Sequence, residues 1–380
     1  MHTTLGHSDD VDSIDAIEDV IRQCHAGSRG LQPKAGILFA SREYEHGPML
    51  ERLQKEWPGL PLIGASSDGE LSSAHGFCHD SVLLTLMFGD ELSVTAGLGR
   101  GLSVDPQKAV EAALGDPGAK ARLCITMFAP STDSCSVVEG LDARLGGEVP
   151  ILGGLSGDHR DSNRSPKEFF GGEVLSDSLP LLLFSGDFAC SYGVGSGWFP
   201  FGEKHVVTRA EGHVVHEIDG RPAIETYRAH YGAVPGNSLG EHPLAVYASD
   251  DSWSLRATLE ILEDTGSLRF AGAVPQGSTV RITQVLSEGI LSGSAESLRN
   301  ALAAYAGSSP EAALIFSCAA RKWVLGTQAQ QEIDELRLCA SELGKPALDI
   351  AGLYVFGEIC PLNGSATFHN ETCVSLVIGK

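Results

Sequence analysis

Two short stretches gather the polar residues best placed to do chemistry. Near the end of the chain, "GLYVFGEICPLNGSATFHNETCVSLVIG" sets Glu358, His369, Asn370 and Thr372 around a glycine turn and then runs into an apolar strand. From Gly64 to Gly89, "GASSDGELSSAHGFCHDSVLLTLMFG" repeats the theme with Glu70, His79, Asp80 and Ser81. An acid, an imidazole and an amide or hydroxyl suit a small polar molecule held by a few convergent groups in an apolar cleft. Two such corners could face one pocket. The plainer alternative is that the same residues only fasten loops, since Asn and Asp satisfy turns and Glu accepts backbone N–H bonds.

Other chemistries are less well supplied. The glycine turns "GASSDGEL" and "GGLSGDHR" lack the lysine of a phosphate-binding loop, and their acids repel phosphate. Ser156 in "GLSGD" does not have the spacing of a nucleophile elbow. Cys318 in "FSCAAR" follows an apolar strand and precedes Arg321, which could stabilise a thiolate. A hydrolase using Cys318 or Ser156 is therefore the rival to a binding protein. His213 and His216 in "HVVH" would face opposite sides of a strand, a poor arrangement for one ion. His75, Cys78 and His79 in "HGFCH" sit in a loop of undefined geometry.

The elements that must position these residues form a repeat. Each unit has an apolar strand, a helical stretch, an extended approach to a glycine turn with an acid, and a second apolar strand. The first reads "AGILFAS", "PMLERLQKEW", "LPLIGASSDGEL" and "SVLLTLMFGD"; the third reads "AALIFSCAAR", "QEIDELRLCASELG", "ALDIAGLYVFGEI" and "TCVSLVIGK". The middle copy carries Gly153, Gly154, Gly157 and Asp158 at its turn. Short continuous apolar runs suit strands covered on both faces. The expected fold is α/β, with repeated strand–helix–strand units forming two modules around a central ligand cleft.

Between the second and third units, "GVGSGWFPFG" reads as a loop. "HVVTRA" and "HVVHEI" read as a hairpin, and "RPAIETYRAHYG" as a helix with Pro222 in its first turn. A domain boundary is expected near "YGAVPGNS".

Composition narrows the partners. The chain has 380 residues, with Lys+Arg 27 against Asp+Glu 49, a formal charge of −22. Such a field repels nucleic acid and anionic membranes. The acidic N-terminus lacks the basic start and apolar stretch of a signal peptide, and the longest apolar runs are far short of the ~20 residues that span a bilayer. A soluble, cytoplasmic protein is expected. Nine cysteines, an odd number with no C-x-x-C, argue against a disulfide framework.

At "GASSDGEL", "GGLSGD", "IDGRPAIETY", "SCAAR" and above all "GLYVFGEI…FHNET", the chain resembles the FIST sensory-domain family. The resemblance implies an N-terminal module over 35–230 and a C-terminal one over 231–380, after an acidic segment and helix over 1–34. It implies a stand-alone intracellular sensor, not an enzyme, that regulates a separate histidine kinase or cyclic-di-GMP enzyme. Amino acids are the usual suggested ligands. Some bacterial members bind haem b and sense nitric oxide; His75, Cys78, His79 and His205 are the candidate haem ligands here. The ligand-binding residues expected by motif are Ser66, Ser67, Glu70, Gly153, Gly154, Ser156, Asp158, Arg321, Tyr354, Glu358, His369, Asn370 and Thr372. Glu371, where the family often has Gln, and Asp68, where a small residue is usual, depart from the pattern.

Overall fold

Three units of one design close into a ring. In the computed structural model, residues 1–115, 121–130, 133–159, 164–233, 236–248, 251–362 and 364–380 are described. The first unit runs through strand His2–Ser8, helix Ser13–Gly27, strand Ala35–Ser41, helix His46–Glu56, strand Leu62–Ser67, a hairpin (Glu70–Ser72 and Gly76–Cys78) and strand Val82–Phe88. The second repeats this order from Leu92–Arg100 to Ser178–Gly186, and the third from Ala189–Gly195 to Cys373–Gly379. The fold is the expected α/β, with repeated strand–helix–strand units.

Each unit builds a four-stranded sheet and lends its hairpin to a neighbour. Glu70–Cys78 of the first unit pairs with Asp349–Val355 of the third. The hairpin of the second, Glu168–Phe170 and Glu173–Leu175, pairs with Leu62–Ser67 of the first. That of the third, Glu358–Leu362 and Ser365–His369, pairs with Ile151–Leu155 of the second. The exchange is cyclic, so the ring has no free seam. The inner faces of the three sheets meet in one core that includes Phe39, Ile125, Leu182, Leu314, Leu353 and Leu376, all buried. Their outer faces are covered by helices, which is why these strands read as continuous apolar runs.

Strand pairing aligns the units residue by residue. Leu38, Thr126 and Ile315 face Gly64, Gly153 and Gly352 in the three parallel pairs. The three turn glycines are thus equivalent, as the repeat implies. Gly6, Gly97 and Gly193 form a second equivalent set, opposite Leu84, Leu181 and Ser375. At each of these a Cβ would overlap the carbonyl oxygen of a covering helix, that of Val20, Ala113 or Ser297. Glycine here lets helix and sheet approach closely.

Two elements differ from the sequence reading. His2–Ser8 is a strand, although its polar letters hid it; Thr3, Thr4, His7 and Ser8 are buried on it. The "GVGSGWFPFG" segment is not a loop: it holds the end of strand Ala189–Gly195 and the start of Phe199–Glu211. Its glycines suggested a loop, but Gly193 and Gly195 pack beneath helix Ser287–Ala304.

Residues 199–284 form an insert within the third unit. Its strands, from Phe199–Glu211 to Thr279–Gln284, make an eight-stranded sheet, with helix Ala223–Tyr231 packed on it. The expected hairpin is there, Phe199–Glu211 pairing with Val214–Ile218, and Pro222 caps the helix from just outside it. Residues 1–34 contain the first strand and helix of the first unit, and position 230/231 falls at the end of the insert's helix. Among the described residues, no helix is long and apolar enough to cross a membrane.

Each exchanged hairpin enters its host sheet on a fully buried glutamate. Glu70, Glu168 and Glu358 pair with Leu353, Ala65 and Gly154, which are equivalent positions. A hydroxyl at one repeated position donates to each: Ser81 Oγ at 2.6 Å, Ser178 Oγ at 2.9 Å and Thr372 Oγ1 at 2.8 Å. Burial raises these acids to about 8 for Glu70, about 7 for Glu168 and about 8 for Glu358. A raised carboxyl contributes stability that is complete below its unfolded value, near 4.5, and lost as pH rises through the folded one. Melting temperature should therefore decline from about pH 6.5 to pH 8, and the E70Q/E168Q/E358Q variant should show a shallower decline in the same scan. On the acid side, burial holds neutral His7 at about 3 and His46 and His369 at about 4, so their contribution fades as pH falls below about 6.5. Separately, Gly97→Ala should cost about 1–3 kcal/mol in denaturant titration, because its Cβ meets the Ala113 carbonyl.

Candidate ligand site

The loop that enters each unit's last strand carries a carboxylate one residue before the hydroxyl just described. These residues are Asp80, Asp177 and Glu371, equivalent by strand register. Their surroundings differ. Asp177 accepts from Ser103, from the backbone N–H at 2.7 Å and from Oγ at 2.9 Å. Asp80 accepts from Ser41 Oγ at 2.5 Å and from His159 Nε2 at 2.9 Å. Hydrogen bonds to Asp68 and Asp80 raise His159 to about 8, so a cationic imidazole answers the two acids.

Glu371 has no such answer. It is fully buried, and no N–H or O–H group donates to either of its oxygens. Glu358 Oε1 is likewise without a donor. The sequence explains why: Ser67 and Ser156 donate to Glu70 and Glu168, whereas the equivalent position in the third unit is Val355. The thiol of Cys318, a weak donor, lies beside both carboxyl groups. Burial, and then the neighbouring Glu358, push Glu371 far above the usual carboxylate range. Its backbone is left-handed, with φ of 62°, as is that of Asp177 at 54°. A side chain held in that region carries a cost of about 1–3 kcal/mol that its surroundings must offset.

Glu371 lines a cavity of about 330 Å3. Leu155 of the second unit, Cys318, Val355 and Phe368 of the third, and Ala257 and Ala271 of the insert form its mostly apolar wall. Asn370 also lines it, and its Oδ1 accepts from the Ala257 N–H at 3.3 Å, tying the ring to the insert. The related seam between the first and third units holds a second cavity of about 440 Å3, bordered by Asp68, Phe77, His79, His159, Lys322 and Trp323. There Lys322 Nζ lies 2.7 Å from Asp68 Oδ1, and Trp323 Nε1 donates to Oδ2 at 2.7 Å.

The motif residues separate into two groups. Asn370 lines the first cavity, and Thr372 and Glu358, bonded to each other, lie behind Glu371. The rest are engaged elsewhere. Ser66 Oγ donates to the Gly157 carbonyl, and Asp158 lies beside Arg42 and Arg164. Gly153 and Gly154 are strand residues. Arg321 is fully buried and bonded to Glu332, Ser294 and backbone carbonyls, and Tyr354 donates to Glu332. His369 contacts the Cys360 carbonyl at 3.0 Å and does not line the cavity. Glu70, with Ser67, closes a different seam from Glu358, so the two acids do not share a pocket. In the middle unit the acid in the matching place is Glu168, because a longer loop separates it from Asp158.

Sequence reasoning passed over Glu168 and gave Glu371 no role. Aligning the units backward from the last strand would have matched "HDS" to "NET" and set Glu371 against Asp80. The insert's contribution carried no local signal. The four haem candidates also fall apart: His75 and Cys78 gather with Asp9 on an exposed edge, His79 joins Asp80 and His159, and His205 pairs with Asp219 on the insert.

An uncharacterized protein of Mycobacterium tuberculosis is 27% identical over 252 residues, covering 62% of each chain, so the match spans under two thirds of that relative. An uncharacterized protein of Methanocaldococcus jannaschii is 33% identical over 79 residues, 21% of this chain and 15% of that one. A cyanuric acid hydrolase from A. caulinodans aligns over 99% of this chain and 98% of its own, at 9% identity and a TM-score of 0.35, too low to establish a shared fold. Residues 34–221 match the FIST N domain and residues 223–361 the FIST C domain. With both domains present in order, the chain belongs to the FIST family of sensory domains.

Proposed function

We propose that this chain is a small-ligand sensor that works by binding and not by turnover, with its ligand in the cavity beside Glu371. The observation that carries this reading is that ring and insert build the cavity together. A ligand there touches both bodies, so its affinity depends on how the insert sits against the ring. Binding then shifts a pre-existing equilibrium between arrangements, and a partner reads the result. A histidine kinase or a cyclic-di-GMP enzyme is the partner that the family suggests.

Two features favour binding over turnover. Burial pushes the Cys318 thiol far above its ordinary value, which leaves it a poor nucleophile. Ser156 gives its hydroxyl to Glu168 at 2.6 Å. Haem b suits the residues poorly. His75 and His205 each pair with a carboxylate near the surface. His79 borders the second cavity, but its Nδ1 faces the Lys322 ammonium at 3.3 Å.

A thermal-shift screen of metabolites tests this reading. A true ligand at a hundred times its Kd stabilises by about 2.7 kcal/mol, which raises Tm by a few degrees. Ala271→Phe, which fills part of the cavity, should abolish the shift while the protein stays folded by circular dichroism. A metabolite screen without any shift, or shifts indifferent to Ala271→Phe, would move the ligand site elsewhere.

A further inference from the structure

We infer that the ligand presents a cationic nitrogen, a protonated amine or amidine on a small apolar body, to Glu371, with Glu358 behind it. The inference rests on the reading that this cavity is the ligand site, and it adds the ligand's charge. Three equivalent carboxylates line the ring's seams, and the protein answers two of them itself. Asp177 receives two hydrogen bonds from Ser103, and Asp80 receives Ser41 and the cationic ring of His159. Only at Glu371, among the three, do both oxygens lack a donor. At the first seam the protein supplies a cation; at the third, the ligand supplies it.

Other groups near Glu371 agree with this division. Glu358 of the third unit and Glu241 of the insert add negative potential. Tyr227 and the Cys318 thiol are neutral neighbours. A nearby cation, Arg321, is committed to Glu332. An anionic ligand would enter a pocket of acids, and a neutral hydroxyl would answer the carboxyl less strongly than a cation does. A buried polar group without a partner is costly, and a charge-assisted bond offsets that cost. The apolar wall sets the rest of the ligand: a branched or cyclic hydrocarbon small enough for about 330 Å3.

In the free protein Glu371 holds a proton, because burial and Glu358 disfavour its charge. An ammonium ligand enters with its own proton, Glu371 ionises against it, and one proton leaves to solvent. Affinity should then rise with pH by about tenfold per unit below the Glu371 titration.

Cyclohexylamine and benzamidine are suitable probes, with cyclohexanol and cyclohexanecarboxylate as neutral and anionic matches. Calorimetry at pH 7 in phosphate and in Tris reads the proton count from the difference in heats. The expected result is binding of the cations alone, with close to one proton released. Glu371→Gln should weaken it by about tenfold to a hundredfold. Should that variant fail to fold, the buffer comparison on the unmodified protein decides. Equal binding of cyclohexanol and cyclohexylamine overturns the cationic ligand, and cation binding without proton release overturns the protonated resting state of Glu371. If only the neutral or anionic probe binds, and Ala271→Phe removes it, the sensor reading stands and the charge assignment falls. If neither these probes nor a metabolite screen shifts the protein, both fall.

Discussion

A glutamate buried at the point where one unit's hairpin enters the next unit's sheet is the contact on which the ring depends. A carboxyl group in that place must be bonded, and a serine or threonine at the entry to the unit's own last strand bonds it. Position, partner and burial recur three times. The ring closes because every unit both lends a hairpin and hosts one, so each sheet gains a pair of strands on its open side. The apolar core inside the ring and the helices outside follow from that closure.

Symmetry that is nearly complete makes its exceptions legible. Three seams share one backbone, yet each has a different polar content. One is satisfied by a loop, one by a histidine, a lysine and a tryptophan, and one is left with two underbonded acids and a space. The change from serine to Val355 removes a hydroxyl from Glu358 at the same seam where the insert forms a wall. A ligand site of this kind needs no new fold, only the loss of a partner from a repeated contact.

Much of this was readable from the letters. Continuous apolar runs and recurring glycine turns gave the three units, because strands covered on both faces have little freedom in composition. The glycines at 64, 153 and 352 were marked by the close approach that only glycine allows. What escaped were features set by contacts remote in sequence. His2–Ser8 looks polar because a hydrogen-bonded strand can bury threonine and histidine. The lending of hairpins between units leaves no local trace, so Glu70 and Glu358 looked like two halves of one pocket when they are the same part of two seams. Ser66, Arg321 and Tyr354 belong to the motif because they brace the corners. Asn370 was recognised from its company, but Glu371 beside it acquires its meaning only when the insert closes over it.

The cyclic exchange has a consequence for how the chain is made. The first hairpin leaves the ribosome early, but its host strand, Asp349–Val355, comes near the end; the bond from Ile350 N–H to Ser73 Oγ spans 277 residues. At ordinary rates of synthesis that is a wait on the order of tens of seconds. Through that interval the first hairpin carries an unpaired strand edge, while its own sheet waits only for the second unit's hairpin. Such edges are what holdase chaperones shield and what neighbouring polysomes can wrongly pair. The ring therefore completes only once the third unit has left the ribosome, and a product truncated before that unit is left with an open seam.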